Sequence, residues 1–105
     1  MVKRLFISQP MNGKTKEEIL SDRKHLAIRA MDMIGEKVEV IDTFFENAPN
    51  EVNTGLWCLG KSLQLLATAD VLYLEHSAAS ARGCRIERDA ALAYGIRVIE
   101  DVGEC

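Results

Sequence analysis

Apolar and polar residues alternate between two periods along this chain. Leu5-Phe6-Ile7, within Val2 to Ser8, is a continuous apolar run of strand length. Gln9-Pro10-Met11-Asn12-Gly13-Lys14 interrupts it with turn residues. Thr15 followed by Glu18 is a capping-box pattern and places a helix start there. Ile19, Leu26, Ala30 and Met33 then recur at helical spacing as far as Ile34, and Gly35 is a natural stop. Val38 to Ile41 reads as a second strand, and Asp42 to Gly55 as a long loop rich in Asn, Pro and Gly. Leu56, Leu59, Leu63 and Leu66 mark a helix from Leu56 to Thr68, weakened slightly by Gly60. Val71 to Leu74 is a third strand, followed by a loop from Glu75 to Arg82. A short helix beyond Gly83 runs to about Tyr94, Gly95 stops it, and Ile96 to Ile99 is a fourth strand. The tail, Asp101 to Cys105, is expected to fray.

Strands that alternate with helices imply an α/β fold, a parallel sheet with helices on both faces. Right-handed crossovers favour the strand order 2-1-3-4 with three helices, a three-layer Rossmann-like or flavodoxin-like arrangement. The winding reverses between strands 1 and 3. Ligands in such sheets bind beyond the carboxyl ends of the strands at that reversal. The loops Ser8 to Lys14 and Glu75 to Gly83 therefore converge on one crevice.

Glu87 belongs to the wall of that crevice. Its helical neighbours are Gly83, Cys84, Ala90 and Ala91, with Tyr94 two turns on, and none is basic. Arg85 and Asp89 are four apart and can pair on an outer face. A carboxylate on a small-residue face lets a backbone or ligand come close, and without a partner it is costly to bury. That makes Glu87 a candidate functional group; the bland reading is a solvated surface glutamate.

Two helix starts, near Thr15 and Gly83, attract anions, and Lys14, Arg82 and Arg85 add positive charge. A phosphate or a polar sugar suits such a place. The alternative is that Gly13 and Gly83 serve turns only and the basic residues are solvated. No Walker A or GxGxxG pattern follows strand 1, so P-loop and dinucleotide chemistry are not indicated. Asp42 offers only a weak ribose contact. His76 ends strand 3 and reads first as a loop histidine, with acid–base work as the alternative. Asp70 stands at the far end of strand 3 and suits a turn. Trp57 and Tyr73 read as core or interface aromatics, and Phe44-Phe45 as core or as a cover for the crevice.

Composition narrows the classes. With 105 residues, 48% of them apolar, a single domain spanning 1–105 with a packed core is expected. A net charge of -3 argues against a nucleic-acid partner. No signal peptide or membrane-length apolar run is visible. Three scattered cysteines, Cys58, Cys84 and Cys105, suit a reducing cytoplasm and argue against a disulfide framework or a metal site.

Several stretches together resemble the nucleoside 2-deoxyribosyltransferase superfamily, most closely its small bacterial and phage branch (the DUF4406 type). They are Phe6-Ile7-Ser8-Gln9-Pro10-Met11-Asn12-Gly13, Ala69-Asp70-Val71, and Arg82-Gly83-x-x-x-Glu87 with Ala90-Ala91-x-x-Tyr94-Gly95-Ile96-x-Val98-Ile99. The resemblance implies a homo-oligomer, a nucleoside or nucleotide substrate and no cofactor. It implies that Glu87 is the catalytic nucleophile, and Ser8, Pro10, Asn12, Gly13, Ser80, Arg82 and Gly83 are expected to line the sugar or phosphate pocket. Cleavage of an N-glycosidic bond by a hydrolase or transferase is the expectation. A nucleotide- or nucleoside-binding module that has lost chemistry is the alternative. Three positions depart from the family pattern: Phe6 replaces a tyrosine, Ser62 an acidic residue, and Ala81 an aspartate or serine.

Overall fold

The computed structural model describes residues 2–11 and 13–102. The elements are β1 (Lys3–Ser8), α1 (Lys16–Ile34), β2 (Val38–Val40), α2 (Thr54–Leu66), β3 (Val71–Leu74), a 3₁₀ turn (Ala78–Ser80), α3 (Arg82–Ala93) and β4 (Arg97–Glu100). The sheet is parallel with order β2-β1-β3-β4, as the alternation of strands and helices implies. In register, Leu5 faces Val71 and Ser8 faces Leu74. The central pair ends level, and so do the loops that leave it.

Burial explains why β1 and β3 read as unbroken apolar runs. Helices cover both faces, so successive residues of either sign of the pleat are removed from water. Phe6, Leu72 and Leu74 join one cluster with Leu66 of α2 and Ala91 of α3. Leu5, Ile7, Val71 and Tyr73 join the other, with Ala30 of α1. The edge strands β2 and β4 are only half-buried.

Local chemistry sets the boundaries. Both capping-box bonds of α1 form: Glu18 N–H donates to Thr15 Oγ1 at 3.2 Å and Thr15 N–H to Glu18 Oε1 at 3.1 Å. Gly35 closes α1 in the left-handed region at φ 78°, where only glycine is free of Cβ strain. The second helix begins earlier than its leucines indicate. Asn53 caps it by accepting Leu56 N–H at 3.0 Å, so Gly55 lies in its first turn rather than in a loop. It also ends earlier, at Leu66, where the Thr68 hydroxyl turns back to the Leu65 carbonyl at 2.7 Å. Gly83 likewise falls inside α3, not before it. The fourth strand is displaced by one residue, to Arg97–Glu100, and β1 and β2 are each a residue shorter than expected, at Lys3 and Val40.

Asp70 fastens the end of the sheet remote from the crevice: Arg4 N–H donates to its carboxylate at 2.8 Å. At the near end the expected frayed tail is ordered at Asp101. Its carboxylate is buried, accepts the Tyr73 hydroxyl, and takes the Arg29 guanidinium of α1 on both oxygens. Burial, then the Asp101 carboxylate, pushes the Tyr73 phenol well above its ordinary range. Gly103 to Cys105 lie outside the described residues. No helix among the described residues is long and apolar enough to cross a membrane.

Asp101→Ala removes one acceptor from a buried phenol and a guanidinium together. It is expected to cost about 3 kcal/mol of unfolding free energy, measured by urea titration. A loss within about 0.5 kcal/mol, the scale of an ordinary surface substitution, would contradict this account of the tail.

Candidate functional site

α3 buries one stripe, Cys84, Glu87 and Ala91, against the sheet and α2. The small neighbours allow the helix to sit close, and Glu87 is carried inward with them, only 8% exposed. The carboxylate meets β1 and α2 rather than a cation. Ser8 Oγ donates to Glu87 Oε1 at 2.8 Å, and the Ser62 hydroxyl of α2 is near enough to favour the charged form as well. Burial raises the Glu87 pKa to about 7, and the two hydroxyls hold back part of that rise. Near neutral pH the group is thus divided between acid and carboxylate. Burial pushes the neighbouring Cys84 thiol up, so it stays neutral there.

The other face of the same strand ends is built differently. A cavity of about 340 Å³ opens between the loop after β1, α1 and the loop after β3. Gln9, Pro10 and Lys14 line one side, Asp22 and His25 another, and Glu75 and His76 a third. Gln9 is locked: its amide donates to Ile19 O at 3.3 Å and accepts Arg23 Nε at 3.0 Å. Lys14 pairs with Asp22 at 2.8 Å, and that bond raises its pKa. Glu75 is buried at the end of β3, and its backbone N–H donates to Ser8 O at 3.0 Å. Its carboxylate lies 2.6 Å from His76 Nδ1 and accepts the Ser77 hydroxyl.

Of the residues singled out from sequence, Ser8 and Glu87 come into direct contact. Pro10 and Lys14 line the cavity, whereas Ser80, Arg82, Gly83 and Glu87 do not. Ser80, ending the 3₁₀ turn, and Arg82, opening α3, are exposed, and Gly83 is half-buried beside open space. Gly13 has φ 79°, so its turn alone requires glycine there. Asn12 lies outside the described residues. The outer face of α3 pairs otherwise than expected: Asp89 lies 3.3 Å from Arg88, not against Arg85, and Arg88 reaches Glu100 at 2.6 Å. Asp42 is spent on its own turn, accepting Phe44 N–H at 3.0 Å, with Arg23 3.6 Å away. Among the described residues no group of three or more His, Cys, Asp or Glu is placed to hold a metal ion.

Sequence reasoning missed the roles of Ser62, Glu75 and the Gln9–Arg23 link. Ser62 stood out only as a departure from the family pattern. The packing of α2 against α3 gives it a partner. Glu75 carried a usable signal, since a polar residue at the carboxyl end of a central strand sits at the crevice.

Neither family models nor curated protein sequences match the chain. Among solved structures it is similar to a 2-deoxyribosyltransferase from the psychrotolerant bacterium Bacillus psychrosaccharolyticus, with a TM-score of 0.59 over 97% of this chain and 75% of that one. The likeness is one of fold. Sequence identity across it is 14%.

The raised Glu87 pKa has a thermodynamic consequence. A folded-state pKa above the ordinary value of 4.5 means stability is fully present below 4.5 and is lost as pH rises to about 7. Glu87→Gln keeps an acceptor oxygen for the Ser8 hydroxyl and cannot ionise. The variant is expected to match the wild type near pH 4 and to exceed its stability by about 3 kcal/mol at pH 8, read by urea unfolding at both pH values. Equal stabilities at pH 8 would contradict the burial of the carboxylate.

Proposed function

We propose that the chain is an N-glycosidase of the deoxyribosyltransferase kind, acting on a nucleoside or nucleotide with Glu87 as the nucleophile. One observation carries this reading: a carboxylate buried against the central strand, held by the Ser8 hydroxyl and tuned to a pKa of about 7. The hydrogen bond from Ser8 fixes where one of its oxygens points. A Glu87 oxygen attacks the anomeric carbon, the bond to the base nitrogen breaks, and its electron pair leaves with the base. Water, or a second base, then resolves the glycosyl ester. Ser80, Arg82, Gly83 and the open amino end of α3 suit the sugar or an attached phosphate, together with Pro10, Asn12 and Gly13 of the first loop. The fold of the similar 2-deoxyribosyltransferase supports the reading at the level of architecture. A cytoplasmic homo-oligomer completes it, with Leu56, Leu92 and Tyr94 exposed as apolar surface for a second copy.

A second reading is a binding module without turnover. The surroundings of Glu87 favour it in one respect. Phe6 lies in the apolar cluster without a hydroxyl, and Ala81 caps α3 without a side-chain bond.

Base release from deoxynucleosides, ribonucleosides and their monophosphates separates the two. The wild type is expected to release base, and Glu87→Ala to lose at least about 1,000-fold in kcat/KM. Equal inertness of both proteins across the panel, with ligand binding retained, would favour the module. For an ionised nucleophile, log kcat/KM on its acid limb rises with pH to about 7. Ser8→Ala removes a donor to the carboxylate, so the same profile is expected to shift to higher pH. A profile with no rising acid limb would overturn the nucleophile assignment.

A further inference from the structure

Scission of an N-glycosidic bond needs more than a nucleophile. A heterocycle is a poor leaving group unless its nitrogen is protonated or hydrogen-bonded as the bond breaks. Glu87 stands on the α2/α3 side of the strand ends, and the cavity stands on the α1 side. A backbone bond, Glu75 N–H to Ser8 O at 3.0 Å, links the residues that lead to the two sides. Ser8 turns its hydroxyl to Glu87, while Glu75 turns its carboxylate to the cavity.

His76 is the side chain that Glu75 aims. Nδ1 lies 2.6 Å from Glu75 Oε1, and the second carboxylate oxygen is held by Ser77. The carboxylate is 11% exposed and the imidazole 61% exposed, so a fixed, buried acceptor orients an accessible ring. A hydrogen bond of this kind keeps the proton on Nδ1 and assigns proton exchange to Nε2. The cavity, at about 340 Å³, is in the size range of small-molecule sites.

We propose that His76, positioned by Glu75, is the general acid that protonates the departing base, with the base held in this cavity. The inference rests on the glycosidase reading of Glu87. The step balances as follows. The anomeric carbon gains a bond to a Glu87 oxygen and loses its bond to nitrogen. The electron pair of that bond stays on the base nitrogen, which takes the Nε2 proton of the imidazolium. Neutral His76, still bonded to Glu75 through Nδ1, then accepts a proton from the water that opens the ester. His76 is therefore a catalytic residue in this scheme, and Glu75 a positioning residue.

Leaving-group chemistry tests it. Wild type, His76→Ala, Glu75→Gln and Glu87→Ala are assayed on 2'-deoxynucleosides and on 4-nitrophenyl 2-deoxyriboside, whose leaving group departs without a proton. His76→Ala is expected to lose about 100-fold in kcat/KM on the deoxynucleosides and to match the wild type on the nitrophenyl substrate. Glu75→Gln should show the same split to a smaller degree. Glu87→Ala should lose both activities. The nitrophenyl arm guards against a variant that merely fails to fold. If His76→Ala slows both substrates equally, or neither, in a wild-type background that depends on Glu87, this inference alone is overturned. A wild type inert on every substrate overturns the glycosidase reading, and this inference with it.

Discussion

The hydrogen bond from Ser8 to Glu87 is the constraint on which the site depends. A carboxylate on the inner stripe of a helix would ordinarily be expelled or neutralised. Here the Ser8 hydroxyl meets it, with the Ser62 hydroxyl also favouring the charged form, so burial and ionisation are brought close to balance. That balance requires α3 to lie close to β1. Cys84 and Ala91 permit the approach, because neither holds the helix away from the strand. The polar contact and the apolar packing are therefore one arrangement.

The sheet supplies the rigidity behind it. β1 and β3 are covered on both faces and pair from Leu5 to Ser8 against Val71 to Leu74. Asp70 and Arg4 fasten one end of this pair, and Tyr73, Asp101 and Arg29 fasten α1 to the chain beyond β4 at the other. Side chains leaving the strand ends thus start from fixed positions. Catalytic groups on regular elements hold their geometry better than groups on loops.

Much of this was legible along the chain. Unbroken apolar runs at Leu5 to Ile7 and Val71 to Leu74 specified central strands, and the alternation with helices specified their order. The four neighbours of Glu87 on its helix marked an inward face with no cation on it. What could not be read was the far side of each contact. Ser62 approaches Glu87 from another helix, and no spacing rule links residues that meet only through tertiary packing. Asn53 looked like loop material because a residue that caps a helix also suits a turn. Asp101 looked frayed because its partners, Tyr73 and Arg29, lie on β3 and α1.

Ser8 works in two directions at once. Its carbonyl belongs to the β1–β3 ladder and its hydroxyl to Glu87. Displacing β1 by a single residue would reverse which side chains face which layer. Ile7 or Gln9 would then be presented to the acid, and neither could replace a short hydroxyl. The fidelity of one strand alignment is in this way also the fidelity of the acid's ionisation.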